Sequence, residues 1–261
     1  MLFTYFDVET SGLHVGCDVL SFSYILGTED MNVKRAETLY FWKEGVTQWT
    51  QEAYEVNGLS KEFLRQYEAD YDKNLKKMYL VLSYGDLVGY NSGHINKEGI
   101  ITGFDFPVIK DFLERNHLYT PQVLGFYDVM QIGQVVYKQR LKLQTMFDKI
   151  GCSREVADAM MAVYFNRQAK AHDAAYDTVC TSMIFQKLCE EGYIRPGEKG
   201  VANLLEDVGE RGLEEYRIEF DADKGMLFVD TYEGTVYTAS EFLEKFPKLF
   251  DEMMANPSTY M

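Results

Sequence analysis

Asp7 and Glu9 stand two residues apart in a segment, Leu2 to Val8, that alternates as a strand does. Both carboxylates therefore project from one face, beside Phe3 and Tyr5. Two like charges on a half-buried strand repel and cost stability unless a cation sits between them. The same spacing also suits an exposed strand end, where acids are common. Asp105 opens Asp105-Phe106-Pro107-Val108-Ile109, where it would serve as a helix N-cap with Pro107 in the first turn, and capping alone would account for it. Asp177 shares a helical stripe with Cys180, Ile184 and Leu188, which puts a carboxylate on a core-facing surface. That is expensive unless it is paired or metal-bound. His172 precedes it by five residues, at a helix mouth where Asp173 is the expected N-cap. His14, His94 and His117 read as structural or surface residues. Four hard oxygen donors without cysteine suit Mg²⁺ or Mn²⁺ rather than zinc. With a histidine that titrates near neutrality, the chemistry indicated is metal-assisted phosphodiester hydrolysis.

These residues need a scaffold to bring them together. The chain has 261 residues, 46% apolar and 15% aromatic, enough to bury a core in one large or two small domains. Strands are expected over 2–8, 19–26 and 38–42, then short ones at 86–90 and 122–126. Ser60 opens a helix, Leu75, Met78, Tyr79 and Leu82 stripe another, and helical patterns follow at 128–138, 143–150, 154–168 and 173–190. A meander followed by alternating strands and helices indicates an α/β domain with a mixed sheet. Beyond residue 190 glycines loosen the chain before a strand pair, 216–220 and 226–232, and a capping-box pattern from Thr238 to Glu241. The expected division is thus residues 1–190 and a small acidic α+β extension, 191–261.

The formal charge is −15, and residues 190–261 carry 17 of the 41 acids against 7 of the 26 bases. Such a balance opposes non-specific binding to polyanions, so an anionic substrate would have to be held by metal ions or by a local basic patch. Candidates for that patch are Lys138, Arg140 and Lys142, then Lys149, Arg154, Arg167 and Lys170; a solvated helix face is the alternative for each. No apolar run suits a membrane span, the start lacks the basic stretch of a secretory signal, and a cytoplasmic location without membrane partners is expected. Four cysteines without a CxxC pair indicate reduced thiols.

Three stretches taken in order resemble a known family. Phe6-Asp7-Val8-Glu9-Thr10-Ser11-Gly12-Leu13, then Val88-Gly89-Tyr90-Asn91 with Phe104-Asp105, then His172-Asp173-Ala174-Ala175-Tyr176-Asp177, are similar to the three motifs of the DEDDh 3′–5′ exonucleases. That family includes the proofreading subunit of the bacterial replicative polymerase, RNase T and oligoribonuclease. The segment Ala53 to Ser60 and Asp128 also resemble family features, and the likeness covers about residues 1–190. It implies an RNase H-like mixed five-stranded sheet flanked by helices. Asp7, Glu9, Asp105 and Asp177 would hold two divalent ions, Mg²⁺ or Mn²⁺, and His172 would be the general base that takes a proton from the attacking water. Thr10, Gly12, Leu13, Asn57 and Asn91 would contact the nucleic acid 3′ end, with Leu13 as a wedge against the terminal base.

The activity so implied is release of 5′-mononucleotides from single-stranded DNA. Trimming of short RNA is the alternative, since nothing in the motifs separates ribose from deoxyribose. Two departures stand out: an insertion over 92–102, expected at the rim of the site as a gate or strand selector, and Asn57 where many relatives carry histidine. The extension either packs for stability or docks a replication or repair protein; a docking protein with a vestigial site is the reading from a different class.

Overall fold

The segment Phe3–Thr10 forms the middle strand of the sheet because it is apolar on both faces over its first half and can be covered from both sides. In the computed structural model, which describes residues 1–95, 101–119, 121, 123, 125–168, 173–196, 216–221, 225–230 and 236–241, the chain divides into two compact units, Met1–Glu206 and Asp207–Met261. In the first, β1 (Phe3–Thr10), β2 (Val19–Gly27) and β3 (Arg35–Tyr40) pair antiparallel. The chain then runs through α1 (Gln51–Asn57), α2 (Lys61–Leu64), a 3₁₀ turn and α3 (Tyr71–Leu82). It returns as β4 (Asp86–Gly89), parallel to β1. A two-stranded hairpin, β5 (His94–Ile95) and β6 (Ile101–Thr102), leads into α4 (Asp105–Arg115), and β7 (Phe126–Asp128) adds in parallel to β4. Helices α5 (Val129–Tyr137), α6 (Leu143–Lys149), α7 (Arg154–Met160) and α8 (Ala174–Glu190) complete the unit. The sheet order is β3-β2-β1-β4-β7, the mixed five-stranded sheet flanked by helices that was expected.

Side-chain alternation decides what covers each face. The odd residues of β1 meet α8, where Phe185 packs on Phe3 and Tyr5 at ring-centroid distances of 5.0 and 5.6 Å. The even residues face the other side, where Thr4 donates to the Val81 carbonyl of α3 and Phe6 packs edge-on to Phe126. Ile194 is buried in the same core, and the first unit extends beyond it.

Several local expectations shifted. The third strand is Arg35–Tyr40 rather than 38–42, because its ladder pairs Arg35 to Tyr40 with Leu26 to Ser21. The strand expected over 122–126 is Phe126–Asp128, set by its pairing with Leu87 to Gly89. The helical pattern over 154–168 breaks into α7 and a π-helical turn, Met161–Phe165, ended by left-handed Asn166. The short helix α1 and the hairpin at the base of the 92–102 insertion were not anticipated. In the second unit β8 (Tyr216–Asp221), β9 (Gly225–Asp230) and β10 (Val236–Thr238) form an antiparallel meander. The capping box after it is made: Glu241 accepts from the Thr238 amide at 2.8 Å. Among the described residues no helix is long and apolar enough to cross a membrane.

Candidate active site

Helix α8 runs against the direction of β1, so anchoring Phe185 over Phe3 and Tyr5 decides what lies over the strand's other end. Asp177 is eight residues before Phe185, about 12 Å along a helix, and Asp7 and Glu9 are two to four residues beyond Tyr5, about 7–13 Å along a strand. Aromatic packing at one end thus sets the carboxylates opposite one another at the other. Asp105, in the first turn of α4, reaches the same place, where the parallel strands end and ligands of open α/β sheets bind.

The electrostatics record this convergence. Asp7 is held well above the ordinary carboxyl range by burial first, then by Asp105, Asp177, Glu9 and Asp173. It keeps partial solvent contact while lying deep among protein atoms. Burial, Asp177, Asp173 and Asp105 push Glu9 up to about 8. Burial also raises Asp105 to about 7, with Asp128 adding and a hydrogen bond from Ser92 subtracting. Among the described residues none of Asp7, Glu9 and Asp105 makes an ion pair with a basic side chain. An oxygen-only donor set that destabilises itself in this way fits a divalent cation, which would remove the repulsion. As the side chains stand, no three described His, Cys, Asp or Glu residues are arranged to share one ion. The acids interact through space, and Asp105 is turned toward Ser92.

That turn answers the capping question. The N-cap of α4 is Phe104, without a side-chain cap, and Asp105 Oδ2 instead accepts from Ser92 Oγ at 2.7 Å. Ser92 gets there because Gly89 has no Cβ: one would lie 2.3 Å from Ser92 Oγ. Asp128 braces the same corner. Its buried carboxylate caps α5 through the Met130 and Gln131 amides and accepts from the Asn91 and Gly93 amides at 3.1 and 3.0 Å. Gly103, at φ +118°, closes the base of the insertion, since a Cβ there would come 2.5 Å from Gly93 Cα. Asn91 sits exposed in the left-handed region, with its Oδ1 bonded to Arg140.

On the other flank, the loop after β1 is stitched together. Thr10 Oγ1 donates to the Gly12 carbonyl at 2.7 Å, and the Ser11 and Asp18 amides bond across at 2.8 and 2.9 Å. Arg115 pins this loop to α4 by an ion pair of 2.6 Å to buried Asp18 and a bond to the Cys17 carbonyl. Leu13 emerges 91% exposed at its tip. Asn57, at the end of α1, is buried; its amide donates to the Thr10 carbonyl and its oxygen accepts from the Leu59 amide. It braces Thr10 from behind.

Asp173 caps α8 through the Ala175 amide, as expected, and is held by Arg167 at 2.8 Å. The same guanidinium donates to Thr38 Oγ1 and the Tyr40 hydroxyl, so it ties the start of α8 to β3. Asp177 follows in the first turn of α8. His172 and Lys170 lie outside the described residues. Sequence reasoning missed Ser92, whose role depends on a turn thirteen residues before Asp105, and the bridging role of Arg167.

No protein-family model matches the chain, and no curated protein sequence matches it. Solved structures do. E. coli exonuclease I in complex with a dT13 oligonucleotide superposes at TM-score 0.54 with 16% identity, over 72% of this chain and 40% of that one. The nuclease domain of 3′hExo, a DEDDh family member bound to rAMP, superposes at 0.51 with 13% identity, over 73% and 92%. The 3′-exonuclease seen in 3′-end specific recognition of the histone mRNA stem-loop gives 0.52 and 13%, over 73% and 82%. The chain spans less than half the length of exonuclease I and most of the length of the 3′hExo domain. The fold on which these acids are mounted is therefore that of the DEDDh 3′–5′ exonucleases.

Proposed function

We propose that this chain is a divalent-metal-dependent 3′–5′ exonuclease that removes 5′-mononucleotides from single-stranded DNA. The observation that carries the reading is the gathering of Asp7, Glu9, Asp105 and Asp177 where the parallel strands end, with burial and mutual repulsion raising the carboxyls of Asp7, Glu9 and Asp105. The first unit, Met1–Glu206, supplies the nuclease, and the second, Asp207–Met261, is an extension suited to packing or to docking a replication or repair protein.

Asp7, Glu9 and Asp177, with Asp105, would hold two Mg²⁺ or Mn²⁺ ions. When bound, such ions activate water and neutralise charge on the phosphate in flight. The chain's own residues do the rest. His172 takes the proton from the attacking water. Thr10 and Gly12 line the end of β1 for the terminal 3′-hydroxyl, with Asn57 fixing the Thr10 backbone from behind. Asn91 offers its exposed side to the strand. Leu13 presses on the terminal base, which favours an unpaired end because a paired one must first be unstacked.

RNA is the second reading: the 3′hExo nuclease domain bound to rAMP overlaps 73% of this chain and exonuclease I with its dT13 oligonucleotide 72%, so both nucleic acids are carried into the test. A digestion panel tests both: 3′- or 5′-labelled DNA and RNA, single- and double-stranded, with Mg²⁺, Mn²⁺ or chelator. Metal-dependent shortening from the 3′ end is expected, fastest on single strands. Cleavage that persists in chelator, or that starts at the 5′ end, would overturn the proposal.

A further inference from the structure

The basic residues singled out in the sequence do not share one fate. Arg154 is spent on Asp148 at 2.8 Å, Arg167 on Asp173 at 2.8 Å, and Lys149 lies over the Tyr137 ring at 4.6 Å. Lys138, Arg140 and Lys142 are different. All three are exposed, and among the described residues none makes an ion pair, in a chain whose net charge is −15.

Their loop is docked against the candidate site. The Tyr90 hydroxyl donates to the Leu141 carbonyl at 2.7 Å, Leu141 itself is buried, and Arg140 donates to Asn91 Oδ1 at 3.0 Å while its Nε contacts Met130 Sδ at 3.2 Å. Asn91 is the residue before Ser92, which holds Asp105. One chain step and two hydrogen bonds thus join this cationic loop to an acid of the site.

Local structure explains the lysines only in part. Lys138 ends α5 in the left-handed region at φ 55°, a position that favours glycine or asparagine. Lys142 is the N-cap of α6 and makes no side-chain cap, where Ser, Thr, Asp or Asn would. Lys142 forgoes a cap and puts a cation at the positive end of α6, and Lys138 takes a conformation that costs a lysine even though its charge suits the end of α5; both keep a positive charge facing solvent. Local rules broken together at one place are a sign of function.

From this placement we infer that the 138–142 loop is the track for the phosphodiester backbone of the substrate, gripping phosphates upstream of the terminus that enters the acidic site. The inference rests on the exonuclease reading of that site. It resolves the difficulty raised by the overall charge: three exposed cations that make no ion pair among the described residues supply locally the attraction that the rest of the chain opposes.

Fluorescence anisotropy of the full chain with 5′-fluorescein (dT)20 in chelator reads strand binding without turnover. Replacing two cations by Lys138→Gln with Lys142→Gln should weaken binding about tenfold at low salt and flatten the log–log salt dependence by about 1.4, two contacts at roughly 0.7 each. Lys34→Gln with Lys76→Gln, the same charge change on the β2–β3 hairpin and on α3, should leave affinity and slope as in wild type. Thermal unfolding verifies that both variants are folded. An unchanged slope in the loop variant, an equal loss in the control, or no binding of (dT)20 by wild type would overturn the inference. Hydrolysis with Mn²⁺ is measured separately. A chain that binds through the loop yet cuts nothing would refute the nuclease reading and support the track, whereas one that cuts with an unchanged salt slope in the loop variant would refute the track alone.

Discussion

Replacing Glu9 by glutamine should make the chelated protein more stable at neutral pH and leave it unchanged in acid. Glu9 is pushed up to about 8 from an ordinary 4.5, chiefly by burial and then by Asp177, Asp173 and Asp105. The folded state therefore holds this proton more tightly than the unfolded chain does. Between about 4.5 and 8 it binds more protons, so stability falls as pH rises through that window; below it both states are protonated and the penalty vanishes. At pH 7 the group lies about 2.5 pH units above its ordinary value, which corresponds to ~3 kcal/mol at 1.36 per unit. Solvent at the mouth of the site and relaxation of the neighbouring acids reduce this to roughly 1–3 kcal/mol. For a chain of this size that is a rise in melting temperature of about 5 °C. Differential scanning calorimetry in chelator at pH 4.5 and 7.5 should show coincident transitions in acid and the variant ahead at the higher pH. Mn²⁺ should then stabilise wild type increasingly with pH and the variant much less. A variant that melts lower than wild type at pH 7.5, or by the same difference at both pH values, would refute the idea that these carboxylates repel in the folded chain.

Asp177→Ala should abolish hydrolysis with the fold intact by circular dichroism, and His172→Ala should slow it by roughly 10²–10⁴-fold if it is the general base; rates near wild type in either would remove the assigned role. Ser92→Ala deletes the hydrogen bond that favours ionised Asp105, so the carboxyl should rise further above its present value of about 7. The acid limb of the kcat/KM profile should move to higher pH and the plateau be regained there; an unmoved limb would argue that Asp105 does not govern it. Arg115→Met strands the buried Asp18 carboxylate and should cost ~2 kcal/mol in urea unfolding, largely restored by Asp18→Asn. No loss in the single variant would mean that the pair does not hold the Leu13 loop.

Much of the site could be read along the chain because its signals are periodic. The two-residue spacing of Asp7 and Glu9 is a property of any strand. The stripe from Asp177 to Leu188 is a property of any helix, and all of Cys180, Ile184 and Leu188 are indeed buried. The Asp173 cap and the Thr238–Glu241 capping box are equally local, a side chain meeting an amide two or three residues on. Helix α1 escaped notice because it buries little: only Asn57 in it is buried, so no apolar stripe marks it. The ends of β3 and β7 were misplaced for another reason. A strand's extent is decided by the partner whose amides it pairs with, and composition alone does not name that partner.

Taken by itself, the chain determined which residues share a face and which helix ends are capped, because these depend on backbone geometry within a few residues. Only the tertiary structure decided that Asp105 answers to Ser92 rather than capping its helix, that Asn57 supports Thr10 from behind, and that Arg140 of the 138–142 loop is seated on Asn91. Those outcomes turn on contacts between segments up to some fifty residues apart. Their geometry is set by how aromatic side chains pack the sheet between its helices, and a linear pattern carries no record of that packing.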